Sequence, residues 1–418
     1  MLAQAVILCG GAGTRLGTLT ASTPKPLLPI SGRPFLDHLI QEVARYGVTR
    51  ITLIAGHFGQ QIADTYHGRR MYGAGVEVLI EPEPMGTGGA LRFAAPHLER
   101  EFFLMNGDSW VDADLVAVAQ FWAATRAAKP VLALLLLQHV PDAGRFGSVR
   151  LSDPGADAGI LAAYCEKSSS TVGISGRINA GVYVLDRAVV DNISASGPVS
   201  LEKDVLPLLV AQGRVYGLTV PKGGYFIDIG LPETFEKAQH ELLLRRTRPA
   251  LFLDRDGTLN VDHGYTHKVE DLQWQPGARE AIALANRMGW FVFVVTNQAG
   301  VAHGYYDVTA VEAFHAAMQA DLFAIGAHVD AFEWCPFHPE GRVSKWRAYS
   351  RRRKPEPGMI EDLLAEWPVD RSRSLMIGDQ ESDMSAAATA GVRGVLYRGG
   401  SLVELLQQST EWGQYVDQ

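Results

Sequence analysis

The sequence predicts an α/β protein of two three-layer domains, and three observations lead to that. Apolar runs of five or six residues alternate with longer helix-like segments along the whole chain, the pattern of largely parallel sheets. The pattern restarts after TRP at 247–249. At 418 residues the chain also exceeds what one hydrophobic core usually serves.

The elements follow in order. AVILCG (5–10), RITLIAG (50–56), EFFLMNGD (101–108) and VLALLLL (131–137) read as buried strands, each a short apolar run. Segments 34–46, 86–98 and 232–246 read as helices. The last, PETFEKAQHELLLRR, opens on proline and acidic residues and closes on arginines, as the helix dipole favours. Beyond 247–249 come strand ALFLD (250–254), helix 276–288, strand GWFVFVVTN (289–297), helix 308–325 and strand AFEWC (331–335). Helix 357–366, strand SLMIGD (374–379) and a terminal helix within 401–418 complete the chain. The domains are therefore expected at 1–246 and 247–418, with no internal repeat.

Composition excludes several classes. With 47% apolar and 20% charged residues the chain is an ordinary soluble globular protein. A net charge of −8 and a pI near 5.9 argue against a general nucleic-acid binder. Cys9, Cys165 and Cys335 stand far apart, which suggests no disulfide framework and fits a reducing cytoplasm. No membrane partner is expected. The longest apolar stretch, 131–137, is about a third of the ~20 residues a spanning helix needs. The start, MLAQAVILCGG, lacks the positive charge of a signal peptide. A homo-oligomer is compatible with all of this.

AVILCGGAGTRL puts a glycine-rich turn directly after a buried strand. Gly10, Gly11 and Gly13 remove the side chains that would keep backbone N–H groups from a phosphate. Leu16 stands where a dinucleotide fingerprint needs its third glycine, and no Gly-Lys-Ser/Thr follows to make a P-loop. Arg15 and Lys25 add positive charge nearby. Asp108 and Asp228 each end an apolar run, so both are expected at carboxyl ends of strands, where open α/β sheets bind ligands.

The longer string GGAGTRLGTLTASTPKPLLPI resembles the signature of the sugar-1-phosphate nucleotidyltransferases. EPEPMGTGGAL (81–91), LMNGD (104–108), EK (166–167) followed by NAGVYV (179–184), and GYFIDIGLPE (224–233) agree with that family in order, over about residues 3–240. The resemblance implies a Rossmann-like domain in which a sugar phosphate oxygen attacks the α-phosphorus of a nucleoside triphosphate and releases pyrophosphate. It assigns Gly10, Gly11, Gly13, Thr14, Glu81, Gly86 and Thr87 to the nucleotide, and Glu166, Lys167 and Asn179 to the sugar phosphate. Asp108 and Asp228 would hold Mg²⁺, Arg15 would stabilise phosphate charge, and Lys25 would bridge the reacting phosphates. EPEPMGTGGAL looks more like the guanylyltransferase than the thymidylyltransferase branch.

FLDRDGTLN (252–260) sets two aspartates one residue apart after an apolar run. A bare Asp-x-Asp could be a helix cap or a solvated turn. VVTNQAG (294–300), RRKPEPGM (352–359) and MIGDQESDM (376–384) add Thr296, Lys354, Asp379 and Asp383 in an order that resembles the haloacid dehalogenase superfamily of phosphatases. That resemblance implies a second Rossmann-like sheet, capless. Asp254 is then the nucleophile and Asp256 the acid and base, while Thr296 and Lys354 bind phosphoryl oxygens. Mg²⁺ would be held by Asp254, the Asp256 carbonyl and Asp379, with Asp383 orienting that shell. Asn297 and Arg353 are expected on the sugar phosphate, Arg353 gripping a second phosphate. For Arg351 and Arg352 solvated charge is a second reading; for Gln298 and His303 pocket and surface roles are both open.

DRDGTLN, TNQAGVAHGYY, CPFHPEG and RRKPEPGM resemble the branch containing heptose bisphosphate and histidinol phosphatases, which usually carries a structural zinc. Phe337 stands where a histidine ligand is expected, and Ser350 and Arg352 where two cysteines are. Cys335 and His338 alone cannot make a four-ligand site, so zinc is not expected and packing or arginine pairs should hold the loop. The joint resemblance implies that heptose 1,7-bisphosphate loses its C7 phosphate and the heptose 1-phosphate then reacts with GTP. The alternative is a mannose-, glucose- or muramate-type nucleotidyltransferase using GTP, UTP or dTTP, beside a histidinol-phosphatase-like or other small-molecule phosphatase.

Overall fold

The structure, a computed structural model, describes residues 1–11, 13–143, 148–165, 175–221 and 224–409. Two compact units divide the chain, Met1–Leu242 and Leu243–Gln418. Among the described residues no helix is long and apolar enough to cross a membrane.

The first unit is built on a ten-stranded sheet. Its strand Gln4–Leu8 runs parallel to Arg50–Ala55 on one side and to Glu101–Asn106 on the other, and Ala74–Ile80 lies parallel beyond Arg50–Ala55. The first three of these runs are buried nearly throughout, as strands covered on both faces require, whereas Ala74–Ile80 alternates. The rest of the sheet is mixed, not largely parallel as expected. Gly176–Asp186 runs antiparallel to both Glu101–Asn106 and Ala133–Val140, and Ala158–Cys165 pairs antiparallel with Val215–Thr219. An apolar run buried on both faces looks the same whichever way its neighbour points, so its direction was not written locally. Leu135, Leu137, Tyr183 and Leu185 are fully buried here. At roughly 1.5–3 kcal/mol for each buried leucine, against about 0–1 for an exposed ion pair, packing rather than surface charge holds this sheet.

Two boundaries differ from those expected. The helix expected over 86–98 ends as Gly86–Phe93, followed by a separate 3₁₀ turn at Ala95–His97. Pro96 has no N–H to continue the ladder, and its ring clashes with the carbonyl four residues back. The strand expected at 131–137 begins at Ala133 and runs to Val140.

The second unit carries a five-stranded sheet that is parallel throughout. Its order is Ala331–Cys335, Phe291–Asn297, Ala250–Leu253, Leu375–Gly378, Arg393–Leu396. The chain adds two strands on one side of Ala250–Leu253 and then returns to add two on the other. That reversal opens a crevice at the carboxyl ends of the central strands. Helices Ala278–Arg287 and Val308–Ala324 pack Ile282, Phe314 and Met318 onto the sheet, all fully buried. Of the terminal helix expected within 401–418, Leu402–Ser409 is helical and the remainder lies outside the described residues.

Candidate active sites

In the first unit the order of strands also reverses around Gln4–Leu8, so Leu8, Ala55 and Asn106 end at one crevice. Backbones approach closely there. A Cβ on Gly10 would lie 2.5 Å from Glu81 Oε2, and one on Gly107 would lie 2.6 Å from the Leu8 carbonyl. A cavity of about 470 Å³ opens above these glycines. Gly10, Gly11, Glu81, Gly86 and Thr87, expected on the nucleotide, all line it. So do Lys25, Asn179 and both expected metal aspartates, Asp108 and Asp228. Gly13 turns the chain at φ +64° into a short 3₁₀ helix, on which Thr14 and Arg15 are exposed. Glu166 and Lys167 lie outside the described residues.

The two aspartates come from strands far apart in sequence. Phe226–Asp228 pairs antiparallel with Ser109–Val111, setting Asp228 opposite Ser109, and Ile229 N donates to the Asp108 carbonyl at 2.9 Å. Buried Lys25 bonds the Asp108 carboxylate, and its Nζ lies 3.7 Å from Asp228 Oδ1. A Cβ on Gly230 would sit 2.8 Å from Lys25 Nζ and 3.1 Å from Arg15 Nη2, so the arginine reaches the same spot. Burial works to raise the Asp108 carboxyl, but the Lys25 charge and hydrogen bond outweigh it and hold Asp108 below its ordinary range. Asp228 is pushed up, first by burial and then by Asp108 itself. Even with Lys25 and Arg15 both facing these two half-buried carboxylates, Asp228 stays above its ordinary range, so a further cation would be favoured beside it.

Part of the cavity wall was not anticipated. Thr87 Oγ1 donates to Glu202 Oε2 at 2.6 Å and accepts from Leu201 N at 2.8 Å. Asn179 Nδ2 donates to Tyr183 OH at 2.6 Å, and Tyr183 OH donates to Glu202 Oε1 at 3.3 Å. Burial lifts the Tyr183 phenol, which keeps it protonated as a donor. Glu202 sits in the run LEKDV, where the sequence offers no spacing or glycine signal. The Glu81 carboxyl is also raised by burial, against a hydrogen bond from the Met85 backbone, and its Oε1 has no partner among the described residues.

In the second unit three adjacent strands deliver the expected residues together. Asp254 follows Ala250–Leu253, Thr296 lies in Phe291–Asn297 and Asp379 follows Leu375–Gly378, all paired in parallel. Asp254, Asp379 and Asp383 bring carboxylate oxygens within 4.8 Å of one another. Lys354 Nζ lies 2.5 Å from Asp254 Oδ1 and 2.6 Å from Asp383 Oδ1, and donates to the Val295 carbonyl at 2.8 Å. Burial pushes Asp254 up to about 7; the Lys354 charge pulls the other way without prevailing, and Asp383 adds to the rise. Asn297 exchanges two hydrogen bonds with the Lys354 main chain, both at 3.0 Å, so its amide supports Lys354.

The Asp256 side chain is not in the carboxylate cluster. Arg255 Nε and Nη2 donate to its two oxygens at 3.0 and 2.8 Å, with Asn260 Nδ2 at 3.1 Å and Gln298 Nε2 at 2.8 Å. Arg255 is fully buried, lies over the Phe314 ring and donates to the Thr266 carbonyl at 2.7 Å.

A family profile described as Nucleotidyl transferase matches residues 4–244, and one described as HAD-hydrolase-like matches residues 351–416. The chain belongs to the nucleotidyl transferase family. It carries a HAD-like phosphatase part besides. Over 161 residues it is 44% identical to the D-glycero-β-D-manno-heptose-1,7-bisphosphate 7-phosphatase of Rhodopseudomonas palustris, covering 38% of this chain and 89% of that one. Over 240 residues it is 33% identical to the D-glycero-α-D-manno-heptose 1-phosphate guanylyltransferase of Aneurinibacillus thermoaerophilus, covering 57% of this chain and 98% of that one. The UDP-glucose pyrophosphorylase structure from Acinetobacter baumannii shares the fold, with TM-score 0.51 at 19% identity over 59% of this chain and 94% of that one.

Near Asp254, Asp379 and Asp383 in this nucleotidyl transferase chain, the loop that resembles a zinc site is tied by other contacts. Arg352 pairs with Glu333 and lies 3.4 Å from Asp362 Oδ2, while Arg351 bonds the other oxygen of Asp362. The Phe337 ring meets Trp346 edge-on at 5.2 Å. Ser350 donates toward the buried Cys335 sulfur. Arg353 is half-buried and near Cys335 and Tyr265, and burial lowers its guanidinium. The His303 and His338 rings lie 4.8 Å apart beside it.

Proposed function

We propose that this chain carries out two consecutive steps toward a nucleotide sugar. The phosphatase half removes the C7 phosphate of D-glycero-D-manno-heptose 1,7-bisphosphate. The nucleotidyl transferase half then joins GMP from GTP to the remaining heptose 1-phosphate and releases pyrophosphate. The observation that carries this is the presence in one chain of relatives of both enzymes, whose named substrates share one sugar.

Both carboxylate sets are all-oxygen and wholly or partly buried, and each holds a carboxyl raised above its ordinary range, which suits a hard dication such as Mg²⁺. Asp108 and Asp228 would hold it in the transferase half, and Asp254 with Asp379 in the phosphatase half. Bound there, it would neutralise phosphate charge and permit anionic groups to meet. In the phosphatase half an Asp254 oxygen attacks phosphorus, Thr296 and Lys354 hold phosphoryl oxygens, and Asp256 protonates the leaving oxygen and later activates water. When Asp256 carries a proton, one of its four donors turns aside. In the transferase half the glycine turn takes the triphosphate, Arg15 and Lys25 steady the phosphates, and Glu81 faces the base. Arg353, beside His303 and His338, supports recognition of the phosphate at the sugar's far end.

Neither step breaks the bond between C1 and its oxygen. The anomer that enters the phosphatase half is therefore the anomer that leaves in the nucleotide sugar. The test is phosphorus NMR on heptose 1,7-bisphosphate supplied as separate anomers, followed by each of the four nucleoside triphosphates. One anomer should lose its C7 phosphate and then form GDP-sugar with GTP alone. Product from mannose or glucose 1-phosphate, with none from heptose 1-phosphate, would overturn the reading.

A further inference from the structure

Gln298 lies where two kinds of site residue meet in the phosphatase half. It is 1% exposed, and its amide is committed at both ends. Nε2 donates to Asp256 Oδ2 at 2.8 Å and to Thr296 Oγ1 at 2.9 Å, while Oε1 accepts from Tyr306 OH at 2.8 Å. These partners fix which end of the amide is which. The flipped amide would set Oε1 against a carboxylate and turn its NH₂ toward a hydroxyl donor. Burial raises the Tyr306 phenol, so it stays protonated and keeps donating.

We propose that Gln298 is a positioning residue for phosphate hydrolysis, holding the Asp256 carboxylate in register with the Thr296 hydroxyl. The inference rests on the phosphatase reading above. A hydroxyl has a single proton, and one that accepts from Gln298 keeps that proton for a phosphoryl oxygen. The same amide sets Asp256 on the side from which a proton must reach the leaving oxygen. In that step an Asp254 oxygen bonds phosphorus and the bond from phosphorus to the sugar oxygen breaks. Its electron pair stays on the sugar oxygen, which takes the proton from Asp256. Gln298 touches neither phosphorus nor sugar in this scheme; it acts through its two neighbours. Tyr306 acts one step further out, by keeping the amide from turning over.

The experiment compares kcat/KM for heptose 1,7-bisphosphate and for p-nitrophenyl phosphate in the full chain with Mg²⁺. kcat/KM reports steps through phosphoryl transfer to Asp254, and the aryl ester's leaving oxygen needs little protonation. General acid help is worth about 10²–10⁴, so partial loss of its alignment in Gln298→Met should lower the sugar value about 30-fold and the aryl value less than about threefold. Tyr306→Phe, which leaves packing almost intact, should shift the same ratio in the same direction by less. Nucleotidyl transferase activity and the melting temperature of each preparation report folding. Equal losses on both esters, or none on either, would overturn the proposal. Continued hydrolysis by Asp254→Asn would instead remove the phosphatase reading beneath it, a result read independently of Gln298.

Discussion

Asp228 Oδ1 lies 3.7 Å from Lys25 Nζ, brought there by a short antiparallel ladder that sets Asp228 opposite Ser109, next to the Asp108 that Lys25 also bonds. Lys25 thus supplies charge to both carboxylates of the nucleotidyl transferase half. Lys25→Ala should lower pyrophosphate release by about 10²–10³, the usual loss when one preorganised charge-stabilising group is removed. Hydrolysis of p-nitrophenyl phosphate by the same preparation should be unchanged. Transfer at the wild-type rate would mean that Lys25 only balances the neighbouring acids.

Asp254 makes the stability of the phosphatase half depend on pH. Its folded value is raised to about 7 by burial, above the ~4 of an unfolded aspartate. The folded site therefore prefers the protonated acid. Its contribution to stability is fully present below about pH 4 and is lost as pH rises toward 7. Without Mg²⁺, Asp254→Asn should raise the melting temperature at pH 8 and leave it almost unchanged at pH 4. A difference of the same size at both values would count against the burial argument.

The loop around Phe337 predicts independence from zinc. With Arg352 paired to Glu333 and Asp362, and Phe337 against Trp346, the contacts that hold it are organic. Chelation followed by Mg²⁺ alone should restore full phosphatase activity, and added zinc should bring no gain. Arg352→Ala should cost about 1 kcal/mol, because the pair is partly exposed. Restoration that requires zinc would show that this chain keeps a metal its sequence does not advertise.

What the sequence disclosed and what it withheld follow one physical division. Asp254, Thr296 and Asp379 were legible because each sits at the end of its own apolar run, and parallel strands place such ends side by side. The helix break at Pro96 was local too, and could have been read from the missing N–H. Glu202 was not legible, since its place in the first cavity depends on Thr87 and Tyr183 from distant segments. Gln298 was visible as a residue but not as a bridge, because its three partners come from Asp256, Thr296 and Tyr306. The antiparallel course of Gly176–Asp186 is likewise a property of its neighbours.

Glu81 carries the prediction about base choice. Its half-buried carboxyl lies beside Gly10 and Gly56, where added Cβ atoms would come within 2.5 and 2.9 Å of Oε2. Oε1 has no partner among the described residues, although the group lies on the cavity wall. An inaccessible carboxylate oxygen left in that state is costly, and a ligand offering two adjacent N–H donors would relieve it. Guanine presents such a pair on one edge, whereas uracil and thymine present a single N–H between two acceptors, which a carboxylate would repel. Glu81→Gln keeps the shape but exchanges one acceptor for a donor. It should lower kcat/KM for GTP by about 10²-fold, in line with 1–3 kcal/mol for a site left mispaired, and narrow the gap between GTP and UTP. Competition between the two nucleotides in one reaction, with products separated by charge and mass, measures that ratio directly. An undiminished preference for GTP in Glu81→Gln would move base reading to the backbone of the Gly10 turn.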